Sequence, residues 1–186
     1  MFSIKVKPEI IRHCEEQIKK YNFGQRSVAN GTPDQQLTGI IGQSVIMDLF
    51  GLGLIDGSTG FDGGVDIVYE GVRIDVKTMG RTTDVRENYV NNFIALQKSF
   101  DIDIYVFCSY NKTKSELTVC GWTTKADFLE KAHFFPKGST RTRSDGTTFE
   151  TFADLYEIAN KDLVNVDSID ELKACLVEIK KTDCVE

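Results

Sequence analysis

No apolar run in this chain approaches the roughly 20 residues of a membrane-spanning helix, and the opening Met-Phe-Ser-Ile-Lys-Val-Lys lacks the apolar stretch of a signal peptide. A soluble, intracellular, cytoplasmic protein with no membrane partner is the expectation. Cysteine pairs at metal-binding spacing are also missing. The five cysteines (Cys14, Cys108, Cys120, Cys175 and Cys184) contain no Cys-x-x-Cys, and with 2 histidines a structural zinc site is poorly supported. Reduced, mostly buried thiols fit a reducing compartment. Positive charge is in deficit: the net charge of -6 argues against strong nonspecific affinity for nucleic acid, which depends on Lys and Arg neutralising phosphates, although a local basic surface stays compatible with it. The glycine-rich stretch from Gly51 through Gly53 and Gly57 to Gly60 has neither Gly-Lys-Ser/Thr nor Gly-x-Gly-x-x-Gly and follows no strand, so it does not read as a nucleotide cradle. Gly51 reads as a helix C-cap. There is no Gly-x-Ser-x-Gly nucleophile elbow, repeat, heptad or low-complexity tract.

What the chain does have is enough apolar material for one sizeable core: 186 residues, 41% of them hydrophobic, predict a single domain. Its most informative run is Gly63-Gly64-Val65-Asp66-Ile67-Val68-Tyr69-Glu70-Gly71-Val72-Arg73-Ile74-Asp75-Val76-Lys77-Thr78. Two β-branched and aromatic stretches flank Glu70-Gly71, a two-residue connection whose glycine tolerates positive φ, and this predicts a tight hairpin with Tyr69 facing Val72 and Asp66 facing Asp75. Strand alternation then puts Asp66, Arg73, Asp75 and Lys77 on one face and Ile67, Tyr69, Val72, Ile74 and Val76 on the other. Opposed Cβ atoms lie about 5 Å apart, where like charges destabilise. A divalent cation would compensate, since hard carboxylate oxygens suit Mg²⁺. Lys77 could hold a phosphate oxygen, orient an attacking water or steady developing charge. The alternative is a solvated hairpin in which Arg73 and Lys77 neutralise the two aspartates.

Asp66, eight intervening residues and Asp75-Val76-Lys77 resemble the signature of the PD-(D/E)xK nuclease superfamily, and Phe61-Asp62-Gly63-Gly64-Val65-Asp66 is similar to the glycine-rich approach of its Mrr-like members. The proline of the family's name is absent. The family's acidic residue on the preceding helix, usually Gly-Glu, corresponds here to Gly42-Gln43 within Leu37 to Phe50. Gln43 shares the apolar side of that helix with Ile40, Met47 and Phe50, so its amide needs a partner. That partner is a metal-bound water, an aspartate or strand backbone. The resemblance covers about residues 36 to 110 and implies a restriction-endonuclease-like core that hydrolyses phosphodiesters with Mg²⁺ or Mn²⁺. Asp66, Asp75 and the Val76 carbonyl would hold the metal, Lys77 would orient the water, and Gln43 would fix the outer shell. The same resemblance implies DNA as partner in preference to RNA, in a prokaryotic or phage-infected cell. A homodimer is expected if both strands of a duplex are cut, with its interface in the part after residue 123.

Two segments could supply a local basic surface. Thr78, Arg81 and Arg86 leave the hairpin and would lie beside a phosphate there. Lys137, Arg141 and Arg143, in a turn-rich stretch with hydroxyls, have a composition suited to gripping a backbone. Each also fits a mobile, solvated loop.

The remaining pattern predicts a scaffold. Pro8 to Tyr21 reads as a helix with Ile10, Ile11, Cys14 and Ile18 on its apolar side. Asn22 to Gln35 reads as a polar loop, and Val85 to Gln97 as a helix with Tyr89, Phe93 and Leu96 at three- and four-residue steps. Ile102 to Tyr110 is a nearly continuous apolar strand, as in the centre of a covered sheet, followed by a strand over Glu116 to Trp122. Thr124-x-x-Asp127 and Ser168-x-x-Glu171 are capping boxes opening helices that run to about His133 and Ile179. His133 has no partner in sequence and reads as a packed or surface residue. The expected fold is α/β, a central mixed sheet flanked by helices, with a core over about residues 1–123 and a C-terminal helical extension over about 124–186. Gln43 and the acidic charge also fit a nuclease-like fold that no longer cleaves and serves as a nucleic-acid or protein-binding module. A structural or inhibitor protein with a fortuitous hairpin fits the same alternation.

Overall fold

The computed structural model describes residues 1–24, 31–60, 63–142 and 146–183, with side chains described through residue 179. In chain order the elements are β1 (Phe2–Lys5), α1 (Pro8–Lys20), α2 (Pro33–Phe50), β2 (Ile67–Tyr69), β3 (Val72–Arg81), β4 (Val90–Ile94), β5 (Ile104–Asn111), β6 (Glu116–Thr124), α3 (Lys125–Lys131), β7 (His133–Phe135), β8 (Thr140–Thr142), β9 (Thr148–Glu150), β10 (Leu155–Ala159) and α4 (Ile169–Asp183). The central sheet has the order β1-β6-β5-β3-β2; β3 and β5 run parallel and the other pairs antiparallel, so the mixed α/β class holds. A smaller antiparallel sheet, β4-β10-β7, and the hairpin β8-β9 complete the strands.

The hairpin forms as the turn chemistry requires. Glu70 and Gly71 adopt φ 51° and 78°, both in the left-handed region, and the register is Ile67 opposite Ile74 and Tyr69 opposite Val72. Positive φ at both central residues matches the strands' own twist. β5 is buried along its whole length, which explains its unbroken apolar sequence. The two faces of the central sheet differ. On one, Ile67, Val72, Ile74, Val76, Val106 and Cys108 pack with Ile10 and Cys14 of α1, Ile40, Val45 and Ile46 of α2 and Leu172 and Leu176 of α4. On the other, Tyr105 and Phe107 meet Phe93 of β4, Phe128 of α3 and Ile158 of β10.

Three expectations change. Val85 to Gln97 is not a helix: Val90–Ile94 is β4, followed by a single 3-10 turn at Ala95–Ser99. Asn91 is buried there, donating to Asn160 Oδ1 at 2.8 Å and to the Ile158 carbonyl at 3.4 Å, and a ladder to β10 outweighs local spacing. The part after residue 123 is not simply helical, since β7 to β10 lie between α3 and α4; His133 opens β7 and is exposed instead of ending a helix. α2 begins at Pro33, inside the stretch read as loop, because Thr32 and Gln35 form a reciprocal capping box with Pro33 at the first turn. Both N-caps predicted for the last two helices form: Thr124 Oγ1 accepts from Asp127 N at 3.0 Å and Ser168 Oγ from Glu171 N at 3.1 Å.

Candidate active site

β3 carries the site because its two faces meet different layers. Val72, Ile74 and Val76 face the helices; Asp75, between them in sequence, faces the opposite way and is 1% exposed, with Tyr105 beside it on β5. Burying a carboxylate is costly unless it is paired. Lys77, two residues on and on the same face, supplies the partner with Nζ 2.6 Å from Asp75 Oδ2. The same ammonium lies 5.6 Å from the centre of the Phe93 ring, within the range of a cation–π attraction. Burial raises the Tyr105 phenol well above its ordinary range, with the Asp75 charge adding to the effect. The Tyr105 hydroxyl has no hydrogen-bond partner among the described residues.

Asp66 stands just before β2, where the ladder ends at Ile67 opposite Ile74; its N–H donates to the Ile74 carbonyl at 2.9 Å, one step off the register that would set it squarely opposite Asp75. Its carboxylate turns to β3 and accepts from the Val76 N–H at 2.7 Å. An extended residue's N–H and C=O point the same way, so the Val76 carbonyl also opens past the end of β2, on the side Asp66 occupies. Gln43 Nε2 of α2 donates to the Asp66 main-chain carbonyl at 3.4 Å. Its amide is therefore satisfied by strand backbone, the plainer of the readings, yet on the site's own aspartate. Each carboxylate has a partner within the chain: Asp66 accepts the Val76 N–H, and Asp75 forms an ion pair with the Lys77 ammonium. Arg73 neutralises neither, since it pairs with Asp103 (Nη2 to Oδ1, 2.6 Å) and Asp101.

Asp66, Asp75, Val76, Lys77, Thr78 and Gln43 all line one cleft of about 980 Å³. Its walls come from the start of α2, the β3 edge, β4 and the segment after β9. Thr78 is set differently from expectation, under α2 against Gly42, where its buried Oγ1 has no hydrogen-bond partner among the described residues. The other cations expected at a phosphate are elsewhere. Arg81 donates to the Val90 carbonyl at 2.8 Å and stacks on Tyr89 at 4.8 Å, and burial lowers its pKa. Arg86 lines a separate surface hollow with Asp84 and Lys114. Lys137 is exposed outside the cleft, and Arg141 pairs with the buried Glu157 and stacks on Phe135 at 3.7 Å. Arg143 lies outside the described residues, as do Phe61 and Asp62 of the glycine-rich approach. Sequence reasoning missed Lys112, Asn92, Gln97 and Phe152, which also line the cleft; Lys112 pairs with Asp34 at 2.5 Å. They come from three separate segments, and no local pattern joins them.

Comparison with family models, with characterised proteins and with solved structures gives no match.

Proposed function

We propose that this protein is a nuclease of the PD-(D/E)xK kind, dependent on a divalent cation and acting on DNA. The observation that carries the reading is the convergence of Asp66, Asp75 and Lys77 at one cleft, with Gln43 reaching Asp66 from α2. The donor set fits a hard cation. Asp66 and Asp75 offer carboxylate oxygens and Val76 a carbonyl, and since no group of three His, Cys, Asp or Glu side chains is assembled among the described residues, water would complete the shell, as Mg²⁺ tolerates. When bound, Mg²⁺ would polarise the phosphate and lower the pKa of a coordinated water. The rest is the work of side chains. The Val76 N–H fixes the Asp66 carboxylate, and Gln43 fixes the backbone that carries it. Lys77 Nζ, partly shielded from water and held by Asp75, is placed to donate to a phosphoryl oxygen as negative charge grows there.

The test is incubation of the purified chain with plasmid and with single-stranded DNA in Mg²⁺ or Mn²⁺. Metal-dependent cutting that falls by at least about 10²-fold in both Asp75→Ala and Lys77→Ala is the expected result. Binding without cutting favours a module that no longer cleaves, the reading to which Gln43 in place of Glu lends weight.

A further inference from the structure

The cleft pairs two features that the nuclease reading does not explain: an unfavourable charge balance and an exposed aromatic wall. Among the described residues, four carboxylates line it (Asp34, Asp56, Asp66 and Asp75) against two ammonium groups, Lys77 and Lys112, which pair with Asp75 and Asp34. Duplex DNA presents its phosphates first and is held chiefly by cations that neutralise them. Two arginines expected to do this, Arg81 and Arg141, are turned to Tyr89 and Glu157. Phe152, in contrast, lines the cleft with its residue 69% exposed. It stands on a fastened segment. Thr151 beside it is buried, donating from Oγ1 to the Pro136 carbonyl at 2.7 Å and accepting at its own carbonyl from Gly138 N at 2.8 Å. A ring at the surface on an anchored segment presents a flat apolar face on which another ring can stack. Asn92, exposed on the β4 side of the same cleft, offers an amide of the kind that meets base edges. The volume, about 980 Å³, is at the upper end of small-ligand sites and suits a few nucleotides.

We propose that the cleft takes a single strand of DNA, with a base next to the reactive phosphate stacked on Phe152. The inference rests on the nuclease reading and specifies its substrate. Stacking is indifferent to which base is present, because every base has a π-face, so it adds affinity without demanding sequence where the described cations are already paired.

Fluorescence anisotropy of the full chain in Ca²⁺ tests it, with three labelled probes of equal length: an oligothymidylate, its duplex with oligoadenylate, and an abasic strand bearing the same phosphates. The oligothymidylate is expected to bind at least about tenfold more tightly than either other probe. Phe152→Ala should weaken it about 5- to 150-fold, the value of one stacked base at tenfold per 1.4 kcal/mol, and leave the abasic strand unchanged. Phe152→Trp should keep the affinity. The ring is exposed, so both variants should fold as the wild type does. Equal or tighter binding of the duplex, equal binding of the abasic strand, no binding of any probe, or indifference to Phe152→Ala overturns the inference. Cleavage by the wild-type chain in Mg²⁺ separates the two claims. Cutting of duplex plasmid with no preference for a single strand sinks the inference and keeps the nuclease; Phe152-dependent binding of a strand that is never cut sinks the nuclease and keeps the platform.

Discussion

The two faces of β3 obey different rules. One presents Val72, Ile74 and Val76 to α1, α2 and α4 in an aliphatic layer where shape and burial decide. The other presents Asp75 and Lys77 to a layer of rings, Tyr105, Phe107, Phe93 and Phe128. A strand buried on both sides has no structural need of ions on either, and an apolar pair of similar volume is often as stable or more so. That the charged pair persists on only one face, at the wall of a cleft, is the physical reason to assign it chemistry.

The largest effect should come from splitting that pair. Lys77→Met leaves Asp75 buried without its ammonium and should cost about 3–5 kcal/mol in urea unfolding, while Lys77→Met with Asp75→Asn regains most of the loss. Simple additivity in this cycle would show that the pair is not coupled. On the aliphatic face Ile74→Ala should cost about 2–5 kcal/mol, by lost transfer and by the cavity left behind. It should also couple to neither Asp75 nor Lys77. A smaller loss, about 1–3 kcal/mol, is expected of Gly42→Ala, whose added Cβ would stand 2.8 Å from Thr78 Cβ and force α2 off β3. An unchanged melting temperature would contradict that close approach. The smallest effect is a pH slope. Burial pushes the Cys120 thiol up to about 12 and raises Cys108 and Tyr105 as well. The unfolded chain releases these protons first, Cys120 near its ordinary 9.0, so stability should be fully present below that pH and fall as pH rises toward 12. Cys120→Ala should flatten the slope; a urea midpoint that rises above pH 9 would reverse the sign.

The hairpin, its register and the partition of its side chains were legible because they depend on neighbours in sequence: a turn whose second residue is glycine, and a period of two. The unbroken apolar run of β5 and the caps at Thr124 and Ser168 were legible for the same reason. β4 was not, since Tyr89, Phe93 and Leu96 keep helical spacing and only the ladder to β10, more than sixty residues later in chain order, makes that segment extended. The basic loop misled in the same way. Arg141 looked available for phosphate until the fold placed the buried Glu157 against it. Local charge advertises a cation, but only tertiary structure says whether it is already committed.

Titration calorimetry of Mn²⁺ into the wild-type chain and into Asp75→Asn tests the central claim most directly. A saturable site in the wild type that disappears in the variant is the result expected of a polar face built around a cation. Identical heats in the two proteins, or no binding in either, would mean that Asp75 and Lys77 only pair with each other, and the account would be contradicted.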